Sequence, residues 1–204
     1  MTIQQASPSS WRAETYQPYA DNIIAAVRKL APTAEIVIQQ TWSYNAAHRQ
    51  LNPKNPKGWK IDQTVMYEKL TANYLDLAKK HNLRVIPSGD AVQLFRKAMG
   101  DKLIAIEPRN ISGLQKPAVP KTNDVAGNFS WKKDKKTGKE NLFCDYIHLN
   151  HRGRYLQALV WYAELFGKDP AKNKFVPKDI SADEIALFKK CAAEAVKNFP
   201  QVKR

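Results

Sequence analysis

The chain has 204 residues, 43% hydrophobic and 10% aromatic, the balance of a globular domain long enough to bury a substantial core. No run approaches the ~18 to 20 apolar residues of a membrane span, and the opening MTIQQASPSS lacks the charged start and apolar stretch of an export signal. The excess of 33 Lys+Arg over 19 Asp+Glu, a formal +14, would attract any polyanion, and charge alone does not choose between nucleic acid and acidic polysaccharide.

In chain order, MTIQQ reads as a short strand followed by the turn-rich ASPSS. PYADNIIAAVRKLAP places Ile23, Ile24, Val27 and Leu30 on one helical face, with Pro18 suited to a first turn and Pro32 ending the helix. AEIVIQQTW is a buried strand leading into the polar loop SYNAAHRQLNPKNPKGW, which sits where the C-terminal end of that strand would be. The stretch IDQTVMYEKLTANYLDLAKKHN sets Met66, Leu70, Tyr74 and Leu77 at helical spacing, LRVIPSG follows as another short buried strand, and DAVQLFRKAMG is a short helix closed by Gly100. From about 101 to 143 the periodicity disappears; prolines at 108, 117 and 120 and the run WKKDKKTGKEN predict a surface excursion, with a hairpin turning near Thr137 and Gly138.

After His148 a helix is expected with Tyr155, Leu159, Tyr162 and Phe166 on one face and Asn150 at its N-cap. A last helix opens on the capping box from Ser181 to Glu184 and buries Ile185, Phe188, Ala192, Val196 and Phe199. Alternating strands and helices predict a parallel sheet covered on both faces, in one domain spanning residues 1–204. The two cysteines, Cys144 and Cys191, are too few for a disulfide framework and lack metal-ligand spacing. No structural metal and no cofactor is expected.

Chemistry concentrates in CDYIHLNHRGRYLQALVWYAELFG, where Asp145 and His148 stand three positions apart. A carboxylate can hold an imidazole in the tautomer that accepts a proton from a nucleophilic hydroxyl, and a tight turn would bring the two side chains to one side. An isolated Asp-x-x-His is more often a polar turn, because both residue types are common there. Trp42, Tyr44 and Asn45 end a predicted strand on the side where open α/β sheets bind ligands, so either a substrate rim or, for the aromatics, packing beneath the next loop fits them. His48 lacks a partner at metal spacing, His151 reads as an exposed first-turn residue, and His81 reads as a helix end. The run KKDKKTGK has no interleaved aromatics, which favours a solvated loop over a nucleic-acid surface.

Together, DYIHLNHRGRYLQALVWYAELFG, TWSYN, DQTVMYEKLTANYLDLAKKHNLRVIPSGDAVQLFR and ETYQPYADNIIAAVRKLAPTAEIVIQQTW resemble the SGNH (GDSL-like) hydrolase superfamily, in a branch of bacterial proteins, from about residue 3 to 199. The resemblance implies a three-layer α/β/α flavodoxin-like fold with a parallel sheet, and ester hydrolysis, with carbohydrate deacetylation as one case. It also implies that Asp145 is the orienting acid and His148 the general base. The family's nucleophilic serine lies in a Gly-Asp-Ser-like turn after its first strand, yet none of the eight glycines here is followed two positions later by serine. IQQASPSS stands where the family's Gly-x-Asn-Asp block would follow its strand, leaving Gln5 or Ser7 as weak substitutes for that block's oxyanion donor, and Ser7, Ser9 and Ser10 as fallback nucleophiles without a glycine-flanked elbow.

The expectation is therefore an SGNH-type domain lacking its first strands and nucleophile block, inactive as it stands, with residue 3 beginning on a strand interior to the parent sheet. The alternatives are a catalytically silent module of the same fold that holds an anionic glycan through Trp42, Tyr44 and basic residues, and, more weakly, a nucleic-acid binder. The expected ligand is a small-molecule or glycan ester. An exposed sheet edge would favour self-association.

Overall fold

The structure is a computed structural model that describes residues 1–106, 111 and 113–200. Pro108, one of the prolines of the aperiodic stretch, lies outside the described residues. Two compact units emerge, one made of residues 1–43, 64–95 and 155–204 and the other of residues 44–63 and 96–154.

The first unit holds a three-stranded parallel sheet of β1 (Thr2–Ile3), β2 (Val37–Gln39) and β3 (Arg84–Ile86), in that order. Ile3 is level with Ile38, and Ile38 with Val85. Parallel neighbours need a crossover, and α1 (Tyr19–Leu30) and α2 (Gln63–His81) supply the two. The right-handed sense that such crossovers take as a rule puts α1 and α2 on one face of the sheet. Their contact is visible in Asp21, whose carboxylate takes Lys80 Nζ and His81 Nε2 at 2.6 Å each. His81 is thus a tie between helices as well as a helix end. The strands are short and apolar because both faces are covered, and Ile38, Val85 and Ile86 are fully buried.

The described parts of α3 (Ser88–Met99), α4 (His151–Phe166) and α5 (Ala182–Asn198) in this unit meet through aromatic rings, with Phe188 5.2 Å from Phe95 and 6.3 Å from Tyr155. Arg84 at the start of β3 donates to both the carbonyl and the carboxylate of Glu164, at 2.7 Å each. The fold is mixed α/β with a parallel sheet and flanking helices, as the alternation of elements predicts. The capping of α5 follows the sequence signal, with the Glu184 amide donating to Ser181 Oγ at 3.3 Å.

β1 pairs only with β2 among the described residues, so it stands at an edge of the sheet. Two expectations change. On α1 the core takes Ile24 and Val27 but leaves Ile23 and Leu30 exposed, Leu30 at 81%. Phe166, in the last turn of α4, is likewise exposed. A helical period marks a face; how far a neighbouring element covers it is a tertiary matter.

Helix α3 begins at Ser88, two residues earlier than its sequence pattern, because its first turn is seated on the end of β2. The Asp90 amide donates to Gln40 Oε1 at 2.9 Å, and a Cβ on Gly89 would stand 2.1 Å from the carbonyl oxygen of Thr41. Backbone cannot yield there as a side chain could, so Gly89→Ala is expected to destabilise the protein by at least ~2 kcal/mol, read as a lowered denaturant midpoint with an unchanged slope.

The second unit is built on an antiparallel hairpin of β4 (Ala126–Lys133) and β5 (Glu140–Leu149). Its turn falls where the sequence places it: Asp134 Oδ1 accepts the amides of Lys136 and Thr137, and Gly138 takes φ +72°. Near its base the register slips. Ala126 lies opposite Leu149 but Asn128 opposite Asp145, so two steps along β4 face four along β5, and Gly127 sits at φ +130° to permit it. The residues forced out of register are those next to Asp145.

Candidate functional site

Asp145 and His148 lie on the bulged end of strand β5, not in the tight turn expected from their spacing. On a regular strand, residues three apart point to opposite faces; the bulge removes that alternation. Asp145 Oδ1 accepts the amides of Ile147 at 2.8 Å and His148 at 3.1 Å, which folds the backbone back around the carboxylate. Asp145 Oδ2 then meets His148 Nδ1 at 2.8 Å. The Asp145 side chain is 16% exposed and that of His148 is 73% exposed.

Partial burial raises the Asp145 pKa, but the two amides and the imidazole outweigh it, so the carboxyl ends below its ordinary range. An ionised carboxylate cannot donate, so in neutral His148 the proton must sit on Nδ1, leaving a lone pair on Nε2. A folded-state pKa below the unfolded one adds stability at pH values above the unfolded carboxylate range and loses it as the pH falls through the folded value. The Asp145 carboxyl carbon, followed by NMR, is expected to titrate below the midpoint of a free aspartate; a midpoint at or above it would contradict this geometry.

The loop after Ser43 supplies the facing side of the site. Asn45 is buried, and its Oδ1 accepts the Ala47 amide at 3.0 Å, closing a tight turn. Its Nδ2 donates to Asp124 Oδ2 and to the Ala126 carbonyl, while its amide donates to the Tyr146 carbonyl at 2.9 Å. One residue thereby fixes the loop to both strands of the hairpin, to β4 through its side chain and to β5 through its backbone amide. Beneath it Arg96 Nε and Nη2 reach the two carboxylate oxygens of Asp124 at 3.1 Å each, with both side chains nearly fully buried. The Asn150 side chain caps α4 as predicted, its Oδ1 accepting from Arg152 and Gly153, and its Nδ2 donates to the Asp124 carbonyl at 2.8 Å.

His48 belongs to the same site. Its ring lies 4.9 Å from Tyr44, 5.9 Å from Trp59 and 6.4 Å from Tyr146, and Nδ1 accepts the Gln50 amide at 3.3 Å. Burial lowers its pKa, neighbouring Arg49 lowers it further, and Asp145 opposes both. A backbone N–H can only donate, so neutral His48 carries its proton on Nε2. The two histidines therefore hold opposite tautomers, His148 with a free acceptor and His48 with a free donor.

Both line one open cavity of about 980 Å³, together with Asn45, Arg49, Asp145 and Tyr146. Tyr44, expected at a substrate rim or in packing, is 1% exposed and packs on His48 and Trp59, so its ring is a support for the site and not a stacking surface. Trp42, Gln5 and Ser7 belong to the other unit. Trp42 is half-buried. The Gln5 side chain is spent on its own surroundings, Nε2 donating to the Thr15 carbonyl and Oε1 accepting from Ala6. Ser7 opens a short 3-10 helix. Among the described residues no cluster of three or more His, Cys, Asp or Glu is arranged to hold a metal ion, and no helix is long and apolar enough to cross a membrane.

No family model matches the chain, and no curated protein matches it. The fold is similar to that of a DUF4886 family protein from Bacteroides uniformis ATCC 8492, seen in a crystal structure, with a TM-score of 0.69 and 20% identity. The match covers 99% of this chain and 63% of that one, so the chain spans under two thirds of that neighbour's length. At this identity the likeness concerns the fold alone.

Proposed function

We propose that the cavity is the acid–base half of an SGNH-type ester hydrolase, with His148 as general base and Asp145 as the group that orients it. The observation that carries this reading is the 2.8 Å contact between Asp145 Oδ2 and His148 Nδ1 at the edge of an open cavity. The carboxylate holds the ring with Nε2 unprotonated, stabilises the imidazolium that forms when Nε2 takes a hydroxyl proton, and leaves the ring mostly in solvent where a substrate can reach it. The chemistry begins when a serine hydroxyl attacks the ester carbonyl as Nε2 removes its proton. The protonated imidazole then returns that proton to the leaving alcohol, and the reverse sequence with water frees the acid.

No Gly-x-Ser occurs in this sequence, so the reading requires the serine to come from a segment outside it. The experiment is to join an apolar strand and a Gly-x-Ser turn to the N-terminus and measure hydrolysis of p-nitrophenyl acetate. Turnover that depends on the added serine and on His148 supports the reading.

The missing Gly-x-Ser also favours a second reading, a module that keeps the cavity and binds a glycan without turning it over. Binding without hydrolysis in the extended chain would select it.

A further inference from the structure

We propose that the cavity holding Asp145 and His148 binds a ligand through a carboxylate group seated on the Arg49 guanidinium and the Nε2–H of His48. This names the ligand class of the site described above and rests on that site's geometry.

Asp124 is closed off by Arg96, and the oxygens of Asp145 are occupied by two amides and one imidazole N–H. Both acids among the described residues of the cavity therefore turn their negative charge into the protein. Arg49 also lines the cavity, is exposed, and pairs with no Asp or Glu of the described residues. Its neighbour His48 has Nδ1 committed to the Gln50 amide, which leaves Nε2–H as a second donor in the same lining.

A guanidinium offers paired N–H groups in the geometry of a carboxylate, and such charge-assisted bonds are about twice as strong as neutral ones. A single unpaired guanidinium beside a neutral imidazole suits a monoanion better than a phosphate dianion. The cavity is also lined by Tyr146 and by Phe143, one face of which carries Lys132 Nζ 3.4 Å from the ring centroid, and the remaining ring surface can cover the apolar face of a sugar or a short alkyl chain. The shared chemistry is a carboxylate next to an apolar surface, on a uronic acid or on an aliphatic acid.

Calorimetric titration of the unmodified chain with glucuronate, hexanoate and glucose distinguishes these sources. Glucuronate, hexanoate or both should bind at least tenfold more tightly than glucose, and whichever carboxylate binds more tightly identifies the carrier. Arg49→Gln should abolish that preference, and Arg49→Lys should restore only part of it, since it keeps the charge but not the fork. His48→Phe, which keeps an aromatic ring but no N–H, should weaken the carboxylate several-fold. Equal binding of glucose and both carboxylates, or a preference unchanged in Arg49→Gln, would overturn the proposal. Arg49 is a surface side chain, so its variants should fold. The titration reads binding alone, so failure of the hydrolase reading would appear separately, as an extended chain that binds the carboxylate and turns nothing over.

Discussion

In a form of the chain extended by a strand and a Gly-x-Ser turn, His148→Ala is expected to lower ester turnover by roughly a million-fold, the scale on which a triad loses its base. Asp145→Asn is expected to cost about ten-thousand-fold, because an amide in place of the carboxylate holds the ring in the wrong tautomer. The two changes should combine far less than multiplicatively, since they disable one unit. Binding of substrate should survive, so the loss belongs in kcat and not in KM. The fold should survive His148→Ala as well: the ring is mostly in solvent, and its one side-chain bond is to Asp145. In the chain without the added serine, neither substitution should change a rate that is already near zero. Hydrolysis by the extended chain that persists in His148→Ala would remove the catalytic role.

The second large effect lies beneath the cavity. Asp124→Asn is expected to destabilise the protein by about 3 to 5 kcal/mol, because it takes a buried carboxylate charge away from the Arg96 guanidinium that it contacts twice. Asp124 does more than pair. Its Oδ1 also takes the Ala126 amide, its Oδ2 takes Asn45 Nδ2, and its carbonyl takes Asn150 Nδ2. The loop carrying His48, the start of β4 and the start of α4 all meet at this residue. Replacing Arg96 with Met removes the buried positive charge that faces the Asp124 carboxylate, and should cost a similar amount. The double variant Arg96→Met with Asp124→Leu should recover part of the loss, since a buried pair exchanged for apolar groups is often close to neutral. Urea unfolding of the four proteins measures this cycle. Near-additive losses would mean that the pair is not coupled.

The elements were legible where a local rule decides them. Met66, Leu70, Tyr74 and Leu77 are all buried as their spacing predicts, and the caps at Asn150 and Ser181 and the turn at Gly138 follow from residue chemistry alone. What stayed hidden depends on distant partners. The Asp145 and His148 spacing was visible, but the bulge that brings them together is set by Gly127 across the hairpin. His48 gave no metal or catalytic spacing because its neighbours Trp59 and Tyr146 come from other segments. The one local sign was Asn45, whose side chain closes a turn three residues before it. Tyr44 read equally as rim or packing, and only the fold of its loop decides for packing. The network of Arg96, Asp124 and Asn45 joins three segments and has no local signature. Leu30 and Phe166 fit an apolar face that the described neighbours do not reach.

The central claim is that Asp145 holds His148 ready to accept a proton at Nε2. Long-range proton–nitrogen correlation spectra of the unmodified chain, at a pH where His148 is neutral, test this directly. The expected result is the proton on Nδ1 and a bare Nε2, with His48 showing the opposite pattern and Asp145→Asn changing the tautomer of His148 but not that of His48. A neutral His148 that carries its proton on Nε2, or whose tautomer ignores the loss of the Asp145 carboxylate, would contradict it.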